Sequence, residues 1–139
     1  MGILSKSRSS EHQESLQEFE NELKKLQHKI KSKLLALVGL KGRLKGLPIV
    51  YVIENGYAND LKSFSAQLNE FIEPLNKLLS YRKVEDFTIN TEDETLFFEP
   101  IIENVGFFAD LANTNNIFEI KHMLSKNKEK LRELLHAES

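Results

Sequence analysis

Seven apolar side chains, Leu16, Phe19, Leu23, Leu26, Ile30, Leu34 and Leu37, follow one another at intervals of 3, 4, 3, 4, 4 and 3 residues. At about 3.6 residues per turn these positions fall on one stripe of a helix, so the pattern predicts a long amphipathic, coiled-coil-like helix. Ser10-x-x-Gln13 is a capping box that starts it, with Glu11 and Glu14 at the positive end of the helix dipole. A rod of this kind, roughly 40–45 Å long, needs a partner along most of its length. The seven residues of the stripe, together with Asn127 further on, are the expected helix–helix seam. Lys33 stands where a strict heptad keeps an apolar residue, so the repeat stutters between Ile30 and Leu34.

Residues 1–9 read as a loose polar tail, and residues 10–139 as a single helical domain, the size range of one core. Gly39, Gly42 and Gly46 interrupt the pattern, either fraying the helix or admitting another backbone close by. Ile49–Ile53 (IVYVI) is β-branched, yet no second convincing strand offers itself as a partner, which favours a short buried helix. Asn55-Gly56 marks a stop. Leu61, Phe64, Leu68, Phe71, Ile72, Leu75, Leu78 and Leu79 form the next helical face, with Pro74 as a kink. Thr91-x-x-Glu94 is a second capping box, opening a helix through Phe97, Ile101, Val105, Phe108 and Ala112 that Pro100 bends. Asn113–Asn116 is a loop by composition, and Asn116-x-x-Glu119 caps a last helix carrying Ile117, Ile120, Leu124, Leu131 and Leu134. The expected fold is therefore all-α, an antiparallel bundle of about four major helices.

The net charge of −2 conceals a segregation. Lys24, Lys25, Lys29, Lys31, Lys33, Lys41, Arg43 and Lys45 form a basic block with no acid between Leu23 and Ile53. Glu85, Asp86, Glu92, Asp93, Glu94, Glu99, Glu103, Asp110 and Glu119 form an acidic block with no Lys or Arg between Val84 and Ile120. The two blocks either face each other or leave charge for a partner. On a continuous helix the cations cover the side opposite the leucine stripe, an arc too broad for one neighbouring helix to neutralise. Within the acidic block, Glu92, Asp93, Glu94, Phe98, Glu99, Glu103 and Phe107 are the candidate acidic and aromatic contact residues. Phe97-Phe98 and Phe107-Phe108 place adjacent rings about 100° apart on a helix, so one of each pair reaches the core; burial of both in a wide bundle is the favoured reading, and exposure of the second ring as a protein-binding patch is the alternative.

Three partner classes fit the basic arc. An acidic protein, or a second copy of the chain offering residues 85–119, fits best because the sequence carries both halves of the complementarity. Nucleic acid is the runner-up; the cations are mostly Lys, with no aromatic among them to stack a base. An anionic membrane surface is the weakest, since the stripe has no Trp and Lys6 spoils a myristoylation motif at Gly2.

Reactive groups do not gather. The chain has no cysteine, and the glycine motifs of nucleotide-binding loops and of serine hydrolases are absent. Glu119-x-x-His122 and Glu133-x-x-His136 match the spacing of di-iron ligands but lie on one expected helix, about 20 Å apart along it. No catalytic residue, metal site, cofactor or small-molecule substrate is expected. Leu47-Pro48, Asn55-Gly56, Leu61 and Phe64 resemble, over about twenty residues, a segment of the small helical subunit of type III CRISPR effector complexes, and the likeness ends before the C-terminal half. No apolar run is long enough to span a bilayer as a helix and no secretory signal is seen, so a cytoplasmic setting is expected. The expected role is a non-catalytic protein-interaction module, an adaptor, assembly subunit or chaperone-like protein.

Overall fold

The computed structural model describes residues 3–30, 32–54, 60–112 and 116–138, with side chains described from Leu16 to Leu135 except at 31, 55–65, 67 and 113–115. The chain is mixed α/β. Its elements are α1 (Ile3–Ile30), β1 (Leu34–Gly39), β2 (Pro48–Ile53), α2 (Asp60–Tyr81), β3 (Phe87–Asn90), β4 (Thr95–Ile102), β5 (Val105–Leu111) and α3 (Ile117–Glu138). The five strands form one sheet in the order β2-β1-β5-β4-β3, every neighbouring pair antiparallel. The all-α, coiled-coil bundle expected from periodicity is therefore wrong.

The error begins at Ile30. The helical stripe is real through Phe19, Leu23, Leu26 and Ile30, all buried. Leu34 and Leu37 continue the spacing but belong to β1, a strand buried at each of its six residues. A strand covered on both faces has no polar alternation to reveal it, and its leucines can fall on helical intervals by chance. β1 is the partner that Ile49–Ile53 lacked in the sequence reading, and that segment is strand β2. The segment resembling the small helical CRISPR subunit runs through this strand, so the helical fold that likeness implied does not hold there.

Gly39 ends β1 where backbones crowd: a Cβ there would lie 2.0 Å from the Leu44 carbonyl oxygen. Gly46 takes φ +78° beside Asn69, which closes the β1–β2 loop around the short 3-10 turn Gly42–Leu44. Thr91 and Glu94 make one half of a capping box. The Glu94 N–H donates to Thr91 Oγ1 at 3.0 Å, but Thr91 N–H also donates to the Glu94 carbonyl at 2.9 Å, closing a β3–β4 turn rather than opening a helix. Pro100 lies in β4, where the register with β5 shifts between Pro100 and Ile102.

The last two helices form where expected, with Pro74 inside α2; Leu68, Ile72 and Leu75 of the one and Ile120, Leu124 and Leu131 of the other are buried, Leu78 is exposed, and the side chains of Leu61 and Phe64 lie outside the described residues. The first helix begins at Ile3, ahead of the Ser10 cap, and Asn55-Gly56 lies outside the described residues. The helices α1 and α3 pack on one face of the sheet, where Phe19, Leu23, Leu26, Ile120, Leu124 and Leu131 meet Leu35, Leu37, Val50, Phe97 and Phe107. On the other face α2 sets Leu68, Ile72 and Leu75 against Leu34, Ala36, Val38, Phe98 and Phe108. The first helix thus packs against its own chain.

Candidate interaction surface

Five strands about 4.8 Å apart span roughly 19 Å, whereas one helix with its side chains is about 10 Å across. Two helices cover one face of the sheet and one helix cannot cover the other. The shortfall is visible at the edge strand β3. Phe87 is half-buried against Phe71 of α2, their ring centroids 6.2 Å apart, and against Phe98 at 5.2 Å. Ile89, two residues on and therefore on the same face, is 42% exposed. Leu78 follows Phe71 by seven residues, which returns it to the same flank of α2, and it is 44% exposed. Tyr81 ends that helix at 85% exposure. Among the described residues β3 pairs only with β4, so its outer backbone groups border this apolar patch.

At the other end of the β3–β4 hairpin lies a cluster of three charged groups. Lys33 Nζ is 2.9 Å from Glu94 Oε1, and Asp110 of β5 sits beside Glu94. Burial first, then the hydrogen bond and repulsion from Glu94, push the Asp110 carboxyl up to about 7, while Asp110 as donor and Lys33 hold Glu94 below its usual range. Asp110 Oδ1 is buried with no hydrogen-bond partner among the described residues.

The basic block does not present one arc, because its helix stops at Ile30. Lys24 pairs with Glu20 on α1 at 3.9 Å. Lys29 meets Glu119 at 3.0 Å, Lys33 meets Glu94, and Lys41 meets Glu103 at 3.2 Å, so three cations of the basic block pair with acids of the acidic one. Lys45 pairs with Glu73 of α2 and holds that carboxyl below its usual range. Lys25 and Arg43 are exposed and have no carboxylate partner among the described residues, and Lys31 lies outside them.

In the acidic segment Glu92 and Asp93 are exposed in the β3–β4 turn, and Glu99 is buried against Lys128 at 3.2 Å. Phe98 and Phe107 are fully buried, and their neighbours Phe97 and Phe108 on the opposite faces of the same strands are buried too, because the sheet is covered on both sides at its centre. In the seam, Asn127 donates to Glu22 Oε2 of α1 at 2.6 Å and to the Met123 carbonyl at 2.8 Å, which ties α3 to the first helix. The exposed Ile89 and Tyr81 went unmarked in the sequence. The alternation of Phe87 and Ile89 was the available signal, four residues long.

No family profile and no curated protein matches the sequence. Solved structures do. The gliding protein MglB from Thermus thermophilus superposes with a TM-score of 0.61 at 14% identity, over 87% of this chain and 88% of that one. An MglB with tetrameric arrangement gives 0.56 at 13% identity, over 90% and 88%. A Roadblock/LC7 domain from Streptomyces avermitilis gives 0.50 at 10% identity, over 73% and 86%. At such identities the likeness is one of architecture: the chain has a roadblock/LC7-like fold, an antiparallel five-stranded sheet between a pair of helices and a single one.

Proposed function

We propose that this chain is a non-catalytic protein-interaction module that self-associates through β3 and the adjoining flank of α2. The observation that carries the reading is the conjunction of an open strand edge with Ile89, Leu78 and Tyr81 exposed around it. Antiparallel pairing of β3 with its copy about a two-fold axis would continue the sheet into a second chain and bury these side chains together. The tetrameric arrangement of an MglB of similar fold supports assembly as a use of this architecture. The internal pairing of most basic-block lysines weighs against nucleic acid, since phosphate binding draws on cations left free. Among the described residues no helix is long and apolar enough to cross a membrane.

Sedimentation velocity over a wide concentration range tests the reading. A mass that rises to a multiple of the chain is expected, and Ile89→Lys combined with Leu78→Glu should weaken association at least about tenfold while the circular dichroism spectrum is kept. A monomer at every concentration refutes it.

A further inference from the structure

The face under α1 and α3 is open at one end. Where the β1–β2 and β4–β5 turns meet the helices, Leu16 of α1 and Leu135 of α3 stand across from Leu44, Ile49, Ile102 and Val105. Between them lies a largely apolar groove of about 660 Å³. That volume falls within the usual range of binding clefts. The groove lies on the sheet face opposite Ile89 and Leu78, so nothing in the self-association reading accounts for it.

Its charge is one-sided. Lys41 and Arg43, on either side of Gly42, line the groove along the β1–β2 loop. Gly42 has φ +73° and nothing within 4 Å of where a Cβ would lie, so the loop tip stands clear of the body. Lys41 already pairs with Glu103, whereas Arg43 is exposed and has no carboxylate partner among the described residues. Once the internal ion pairs are assigned, Lys25 and Arg43 are the described members of the basic block left over, and of these Arg43 borders an apolar groove. A guanidinium matches a carboxylate in a bidentate geometry that a water molecule does not reproduce.

We propose that this groove docks an acidic amphipathic helix of another protein, its apolar side chains seated between Leu16, Leu135 and Ile49 and a carboxylate on Arg43. The floor takes the apolar anchors and the loop fixes their sign of charge, as in helix-in-groove recognition. The basic block thus keeps a partner-binding role, but through one loop rather than a helical arc.

The test uses the full chain labelled with nitrogen-15 and two synthetic helical peptides sharing one leucine face, one with glutamate at the remaining positions and one with lysine. The glutamate peptide should shift the amide resonances of Gly42, Leu44, Asn104 and Val105, and Arg43→Glu should weaken its binding about tenfold without altering the fold. The lysine peptide should leave those resonances in place. The proposal is overturned if the glutamate peptide shifts nothing there or acts at β3 and α2 instead, if both peptides bind alike, or if Arg43→Glu binds as tightly as the parent. Shifts of the same amides that grow with protein concentration alone would assign the groove to a second copy and overturn it as well.

Discussion

The two faces of the sheet are built from similar residues and covered unequally. On one face α1 and α3 lie side by side, tied by Asn127–Glu22 and by Lys130–Glu18 at 2.8 Å, and the strands beneath them are sealed along the centre. On the other face α2 stands alone over Leu34, Ala36, Val38, Phe98 and Phe108. Its coverage is completed sideways by aromatic rings, with Phe71, Phe87, Phe98 and Phe108 in mutual contact at centroid distances from 5.2 to 6.3 Å. The central strands are closed on both faces while one flank is left unfinished. The unfinished flank is then a place where association has apolar area to gain.

Replacing one ring on each face separates the two roles. Phe98→Ala and Phe107→Ala each remove a fully buried side chain and should each cost about 3–5 kcal/mol in denaturant melts. Only Phe98→Ala should also weaken self-association, because that ring supports Phe87 at the open edge. Equal effects on assembly would erase the distinction. Gly106→Ala attacks the same ring from behind: its Cβ would lie 2.3 Å from Phe98, and an overpacking loss of about 1–3 kcal/mol is expected.

Asp110 gives a smaller effect with a defined sign. Its carboxyl is held near 7 in the folded chain against about 3.9 in an unfolded one, so the native state binds the extra proton between those values. Stability from this group is full below about pH 4 and falls as pH rises towards 7. Glu94, held low, acts the other way and loses its contribution as pH falls below its ordinary value. Thermal melts of Asp110→Asn should therefore show a gain on the order of 1 kcal/mol above pH 7 that shrinks towards pH 5. A gain independent of pH would mean that the shared proton is not the cause. Smallest of all, Lys29→Ala breaks an exposed pair with Glu119 and should change stability by about 0–1 kcal/mol, fading in salt.

What could be read in the sequence follows the same asymmetry of cover. The apolar stripes of α2 and α3 and the first part of the seam were legible because each helix buries one face and leaves polar residues on the other. The central strands were not: β1 and β5 are buried on both sides, so LLALV and VGFFA carry no alternation, and leucine is as much at home in a helix. Thr91 and Glu94 misled for a local reason, since the same side-chain hydrogen bond serves a helix start and a tight turn. The segregation of charge was plain, but pairing Lys29 with Glu119 needs the sheet to bring distant residues together. Arg43 could be named as a candidate beforehand; its selection over the other cations required knowing which of them were already neutralised.

The strand order has a kinetic consequence. The hairpins β1–β2 and β3–β4–β5 can each form from neighbouring sequence, yet β1 joins the rest of the sheet through β5, with Leu34 facing Asp110 and Gly39 facing Val105. That ladder closes a loop spanning much of the chain, so it is expected to form late and to set the folding rate. During synthesis the bare side of LLALV therefore waits, oily and unpaired, until the residues that zip against it have left the ribosome.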